Sequence, residues 1–166
     1  MELKLCTYNC CSLRKNIDLI RELVDDKSFD ILFLQETLLL EDRLGDLAYI
    51  DENYDAVGTG SVYSEKALVA NAGRSEGGLA CLWKRNGDFS VVKVIKDENF
   101  IGMQILIGNC LILLVNVYIK SDLWEIRTLD AYLQYLGQLE DLMCNTQYES
   151  VYILGDFNAD PFTGRA

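Results

Sequence analysis

Short apolar runs alternate with polar separators along most of the chain, and their spacing predicts a strand-rich fold with two helices. Leu3 to Tyr8 reads as a first strand. Behind it Ile17, Ile20, Leu23 and Val24 recur at helical spacing after Asn16, a residue suited to a helix N-cap. Phe29 to Leu34 is mostly Ile, Leu and Phe, short enough for a strand buried on both faces, and it ends at Gln35-Glu36. Between Glu36 and Asp55 seven acidic residues face Arg43 alone, and Thr59 to Gly78 is small and polar, so this stretch is predicted to be mainly surface loop. Four strand-like runs follow: Gly78 to Trp83, Phe89 to Ile95, Phe100 to Ile107 and Leu111 to Tyr118. Their separators, Asn86-Gly87, Asp97-Glu98-Asn99 and Gly108-Asn109, are hairpin signals. Leu123, Ile126, Leu129, Leu133, Leu136, Leu139 and Met143 then mark an amphipathic helix that should pack on a sheet face. Val151 to Leu154 is a last strand.

Composition narrows the chemistry. The 166 residues are half hydrophobic with one proline, and they show no repeat or low-complexity tract, which fits a single domain over 1–166 that folds without disulfide or metal staples. The formal charge of −11 does not suit a basic DNA-binding module. The sequence has no histidine, which removes Ser-His-Asp triads, histidine-ligated zinc and histidine general bases together. Six cysteines occur without a Cys-x-x-Cys pair, and Met1 to Cys10 lacks the apolar core of a signal peptide, so reduced thiols in an intracellular protein are expected. Cys6, Cys81 and Cys110 lie in strand runs and are expected in the core; a redox role for Cys10-Cys11 is disfavoured. The longest apolar run, Leu111 to Ile119, is interrupted by Asn116 and far too short to cross a membrane.

The candidate chemistry lies where strands end in polar residues: Tyr8-Asn9, Gln35-Glu36, Asn116 with Tyr118, and Asp156 with Asn158. Residues two apart in a strand share a face, so each of the last two pairs could enter one pocket. Carboxylates from Glu36 and Asp156, amides from Asn9 and Asn158 and the Tyr118 phenol form an oxygen-rich set that suits Mg²⁺ or Mn²⁺ and a phosphate. Taken singly, the asparagines read as turn residues, Tyr118 as a sheet aromatic and the acids as surface charges.

Taken together, Thr7-Tyr8-Asn9, Leu34-Gln35-Glu36-Thr37, Gly77-Gly78-Leu79-Ala80, Asn116-Val117-Tyr118 and Leu154-Gly155-Asp156-Phe157-Asn158 resemble the endonuclease/exonuclease/phosphatase superfamily. They look especially like the apurinic-type endonuclease domain of non-LTR retrotransposons. The resemblance implies an α/β fold, a helix-flanked β-sandwich of the DNase I-like type. By the same resemblance, Glu36 ligates the metal, with Asn9 and Asp156 at the metal site. Tyr118 contacts the scissile phosphate, Asp156 orients or deprotonates the attacking water, and Asn158 binds the phosphate beside it. Arg74 and Asn116 are placed on the substrate.

The family continues to a serine-aspartate-histidine motif that this sequence does not reach, so the resemblance covers its N-terminal two-thirds, a C-terminally truncated domain. A second copy forming a homodimer, or a further segment, is expected to cover the open sheet. The leading expectation is a Mg²⁺-dependent phosphodiester hydrolase that nicks DNA, weak or inactive as this chain alone. Alternatives are a catalytically incomplete remnant that serves as a binding or scaffold protein, and a phosphatase or phosphodiesterase of phosphoinositide or sphingomyelin type. The acidic balance disfavours DNA, against local basic groups at Arg14, Lys15, Arg74, Lys84 and Arg85.

Overall fold

A computed structural model of the chain describes residues 2–25, 29–63, 75–119 and 128–158. Arg74, and the predicted helix before Thr128, lie outside the described residues. In chain order the elements are β1 (Leu5–Asn9), α1 (Ile17–Asp25), β2 (Ile31–Gln35), a 3₁₀ helix (Glu41–Tyr49), β3 (Tyr54–Thr59), β4 (Val62–Tyr63), β5 (Ser75–Glu76) and β6 (Leu79–Lys84). They continue with β7 (Ser90–Lys96), β8 (Phe100–Ile107), β9 (Cys110–Tyr118), α2 (Thr128–Cys144) and β10 (Ser150–Asp156). Among the described residues no helix is long and apolar enough to cross a membrane.

Two four-stranded sheets, ordered β1-β2-β6-β3 and β10-β9-β8-β7, stack face to face. The strand pattern dictates the layering, because successive side chains point to opposite faces. In β2, Ile31 and Phe33 enter the layer between the sheets with Leu79, Cys81, Ile101, Met103 and Leu114, whereas Leu32 and Leu34 meet Ile20 and Val24 of α1 on the outer face. In β9, Leu114 faces the other sheet while Leu113, Val115 and Val117 pack under Tyr135, Leu139 and Leu142 of α2. Both strands are therefore buried on both faces, which is why they read as unbroken apolar runs. Asn16 sits at the head of α1 as expected: its carbonyl accepts from the Ile20 N–H at 3.0 Å, while its side chain donates back to the Cys10 carbonyl at 2.7 Å.

Four expectations change. The Glu36–Asp55 and Thr59–Gly78 stretches hold a 3₁₀ helix, β3 and the β4–β5 ribbon as well as loop. β3 escapes the pattern because Asp55 and Gly58 are poor strand residues; tertiary context overrides them, with Asp55 ion-paired to Arg85 and a Cβ at Gly58 barred by the Leu47 side chain. The Asn86-Gly87 turn does not close a hairpin, since β6 is already paired with β2 and β3 and has no free edge; the chain crosses there to the second sheet. The other two separators do close hairpins, β7–β8 and β8–β9. Cys110 is exposed at the start of β9, unlike the buried Cys81 and the partly buried Cys6. Leu133 and Leu136, expected on the packed stripe of the second helix, are exposed.

Gly155 joins β10 to β9 at the approach to Asp156. Its φ is 138°, and a Cβ there would collide with the Val117 backbone. Gly137, inside α2, has open space where its Cβ would stand. Gly155→Ala should therefore lose about 3 kcal/mol or more of stability, and Gly137→Ala should gain about 0.5–1 kcal/mol. Urea titration of both variants checks this; a neutral Gly155→Ala would show that β10 shifts freely against β9.

Candidate active site

Parity places the site. Thr7 and Asn9 of β1, Gln35 of β2, Asn116 and Tyr118 of β9 and Asp156 of β10 turn toward the layer between the sheets, where the apolar filling ends at its rim. Both outer pairs are parallel, Asn9 beside Gln35 and Asp156 beside Tyr118, so these strands finish together. Backbone bonds continue the ladders past the strand ends, from Cys10 N–H to the Gln35 carbonyl, Ser12 N–H to the Glu36 carbonyl and Ile119 N–H to the Asp156 carbonyl, each at 2.9 Å. The exits are bent. Among the described residues every non-glycine with positive φ lies there: Cys11, Ser12, Glu36, Leu38 and Asn158. Such conformations cost of order 1–3 kcal/mol each and gather where a site requires a fixed geometry.

The polar groups converge on one amide. Asn9 Nδ2 donates to Glu36 Oε1 at 3.0 Å and to Asp156 Oδ2 at 2.7 Å, so carboxylates from the two sheets meet a single nitrogen. The Tyr118 hydroxyl donates to the same Glu36 oxygen at 3.0 Å. Tyr118 is almost wholly buried, and burial with the Glu36, Asp156 and Glu76 charges pushes its phenol far above the ordinary tyrosine range, holding it as a protonated donor. The Asn158 N–H donates to Asp156 Oδ1 at 3.0 Å. Among the described residues no ion pair reaches Glu36 or Asp156, so neutral donors alone answer their charge.

Of the residues singled out from sequence, Asn9, Glu36, Tyr118, Asp156 and Asn158 meet here. Asn9 turns its NH₂ to the acids and its Oδ1 to the Cys11 N–H at 3.1 Å. Asn116 is fully buried, giving its NH₂ to the Leu34 and Ala80 carbonyls at 3.1 and 3.0 Å and its Oδ1 to Gln35 Nε2 at 2.6 Å. It has no surface to offer a substrate, because a strand interior faces the opposite sheet. Asn158 lies beyond the end of β10 at φ 44°, where strand parity no longer holds, and one of its side-chain N–H groups donates to the Ile119 carbonyl at 2.6 Å. Of the basic groups considered, Arg14 pairs with Asp46, Lys84 with Asp30 and Arg85 with Asp55.

Sequence reasoning missed the alliance of Thr7, Gln35 and Asn116, and Glu76 beside the phenol. The signal for the first was polar residues whose parity turns them into an apolar layer. Among the described residues no three acidic or cysteine side chains meet as a ready metal cage. Two convergent carboxylates without a cation nonetheless fit Mg²⁺ or Mn²⁺, which bind through one or two carboxylates and keep their waters. Glu36 and Asp156 would hold it.

The sequence profile of the Endonuclease/Exonuclease/phosphatase family matches residues 6–165, and the chain belongs to that family. Solved structures share the fold. An AP endonuclease from Archaeoglobus fulgidus is 24% identical with a TM-score of 0.67, over 96% of this chain and 59% of that one. A 3′ phosphatase from Neisseria bound to product DNA hairpin is 21% identical with a TM-score of 0.67 over the same shares. The APE2 catalytic domain from Xenopus laevis is 17% identical with a TM-score of 0.69, over 95% and 59%. The chain thus spans about three-fifths of the length of these structures. A comparison with curated protein sequences finds no match.

The thiols beside the site differ in reactivity. Cys10 is fully buried, its Sγ donates to the Gln35 carbonyl at 3.2 Å, and burial pushes its pKa up to about 11; Cys81 is pushed up by burial as well. At pH 8 iodoacetamide should label the exposed Cys11, Cys110 and Cys144 and spare Cys10 and Cys81. Peptide mass spectrometry reads the pattern; Cys10 labelled as fast as Cys11 would show that the β1 exit opens in solution.

Proposed function

We propose that this chain carries the metal and water side of a divalent-metal-dependent phosphodiester hydrolase, with DNA as the substrate class. The observation that carries the reading is the meeting of Glu36 and Asp156, from opposite sheets, on the Asn9 amide beside a phenol held protonated. The family supports hydrolysis, and the product DNA hairpin of the Neisseria phosphatase supports the substrate class.

A bound Mg²⁺ or Mn²⁺ would supply Lewis-acid chemistry. Asp156, fixed by the Asn9 amide and the Asn158 N–H, accepts a proton from the attacking water and aims it. The Tyr118 hydroxyl and the remaining N–H of Asn158 are donors for oxygens on which charge develops, and neutral donors suit that work because they need no rearrangement as charge builds. Glu36 would hold the cation, and the left-handed turn at φ 52° brings its carboxylate back over the rim. The 166 residues contain no histidine, so donation to the phosphate from this chain falls to the phenol and the amides.

The test is plasmid nicking with Mg²⁺. Slow, EDTA-sensitive nicking is expected, and Asp156→Ala should reduce it by about 10²–10⁴-fold, the usual contribution of a positioned base. Calorimetry with Mn²⁺ should show binding by the parent and its loss in Glu36→Gln. Nicking that survives EDTA, or equal heats from both proteins, would overturn the assignment.

A further inference from the structure

Beneath the rim lies a second, buried set of polar side chains: Thr7, two residues before Asn9; Gln35, beside Asn9 in register and next to Glu36; and Asn116, two residues before Tyr118. At this level the buried Gln35 side chain donates from one Nε2 to Thr7 Oγ1 at 3.0 Å within its own sheet and to Asn116 Oδ1 at 2.6 Å across the layer. Asn116 answers from the second sheet by donating to the carbonyls of Leu34 and Ala80, neighbours on β2 and β6. Four bonds thus connect β1, β2, β6 and β9 in a place otherwise filled by hydrocarbon.

Apolar packing alone is tolerant of sliding, since it is non-directional. A buried amide is not: displaced by about an ångström it leaves donors or acceptors unpaired, each bearing the full cost of its lost water. Glu36 comes from one sheet and Tyr118 and Asp156 from the other, so whatever fixes one sheet against the other fixes the site.

We infer that Gln35 and Asn116 are positioning residues that set the two sheets at the separation and register the site requires, without touching substrate or metal. This deepens the hydrolase reading and rests on it for its kinetic test, while its structural part stands apart. In Asn116→Leu or Gln35→Leu, Mn²⁺ affinity should fall about 10–100-fold and kcat on bis(p-nitrophenyl) phosphate about 10²-fold. KM should move little, because neither residue contacts the diester. A length-swapped pair, Gln35→Asn with Asn116→Gln, keeps the span between the sheets and should recover much of both losses relative to either leucine variant.

Hydrogen exchange supplies the readout that needs no activity. In the leucine variants the rim amides of Cys10, Ser12 and Ile119 should lose at least tenfold more protection than those of Ile101, Met103 and Ile105 in β8. If the leucine variants do not fold, Thr7→Val removes one acceptor and should shift the same quantities in the same direction by several-fold. Unchanged Mn²⁺ affinity and kcat in folded variants, equal loss of protection at the rim and in β8, or a swapped pair no better than the single variants would each overturn the inference. A parent protein that neither binds Mn²⁺ nor turns over would instead overturn the hydrolase reading, and hydrogen exchange would then decide the positioning role alone.

Discussion

Two sheets packed face to face share a layer of Ile, Leu, Phe and Met side chains, and into that layer Asn116 inserts a fully buried amide that meets Gln35 and two backbone carbonyls of the opposite sheet. Hydrocarbon contacts make the layer favourable to bury but hold the sheets over a range of offsets. The amide contacts are satisfied at one offset. Because a polar group in such a place is costly unless all its bonds are made, the register of one sheet on the other follows from a few short hydrogen bonds. The strand exits, and so the acids, inherit that register.

At the rim the same economy of charge recurs. Glu36 and Asp156 approach each other through one shared amide, with a phenol and a backbone N–H as further donors, and among the described residues no cation lies in contact. Left-handed backbone at Glu36 and Asn158 keeps the exits turned over the opening. The arrangement thus sets two like charges close together on backbone of unfavourable conformation. It is sustained by the double-sided burial of β2 and β9 below it.

Charge elsewhere is organised to be spent locally. Asp46 draws both Arg14 and Arg43, and these contacts hold its carboxyl below the usual range; Lys84 and the Lys4 N–H do the same for Asp30 against its partial burial. With those basic groups engaged and a formal charge of −11, long-range attraction for a polyanion is weak. What the rim can hold then depends on its short-range geometry.

Much of the fold was legible because it was written in periodicity. The strands expected over 100–107 and 111–118 and the helix after Asn16 follow from which residues must leave water, whereas the α/β sandwich was expected from the family resemblance. The site residues were legible as polar endings to apolar runs. What was not legible depends on partners distant in the chain. β3 forms because β6 offers an edge, and the Asn86-Gly87 turn fails to close a hairpin because β6 has none left. Asn116 and Tyr118 share strand parity, yet only Tyr118 reaches the rim; how deep a position lies is set by where the opposite sheet ends, which no local pattern records. The sequence by itself determined that β2, β8 and β9 are the deeply buried strands, since hydrophobic transfer acts residue by residue. Only the tertiary structure decided which of the polar exceptions meet one another, because hydrogen bonds are satisfied between groups up to 147 positions apart, as in Asn9 and Asp156, once the two sheets have been laid together.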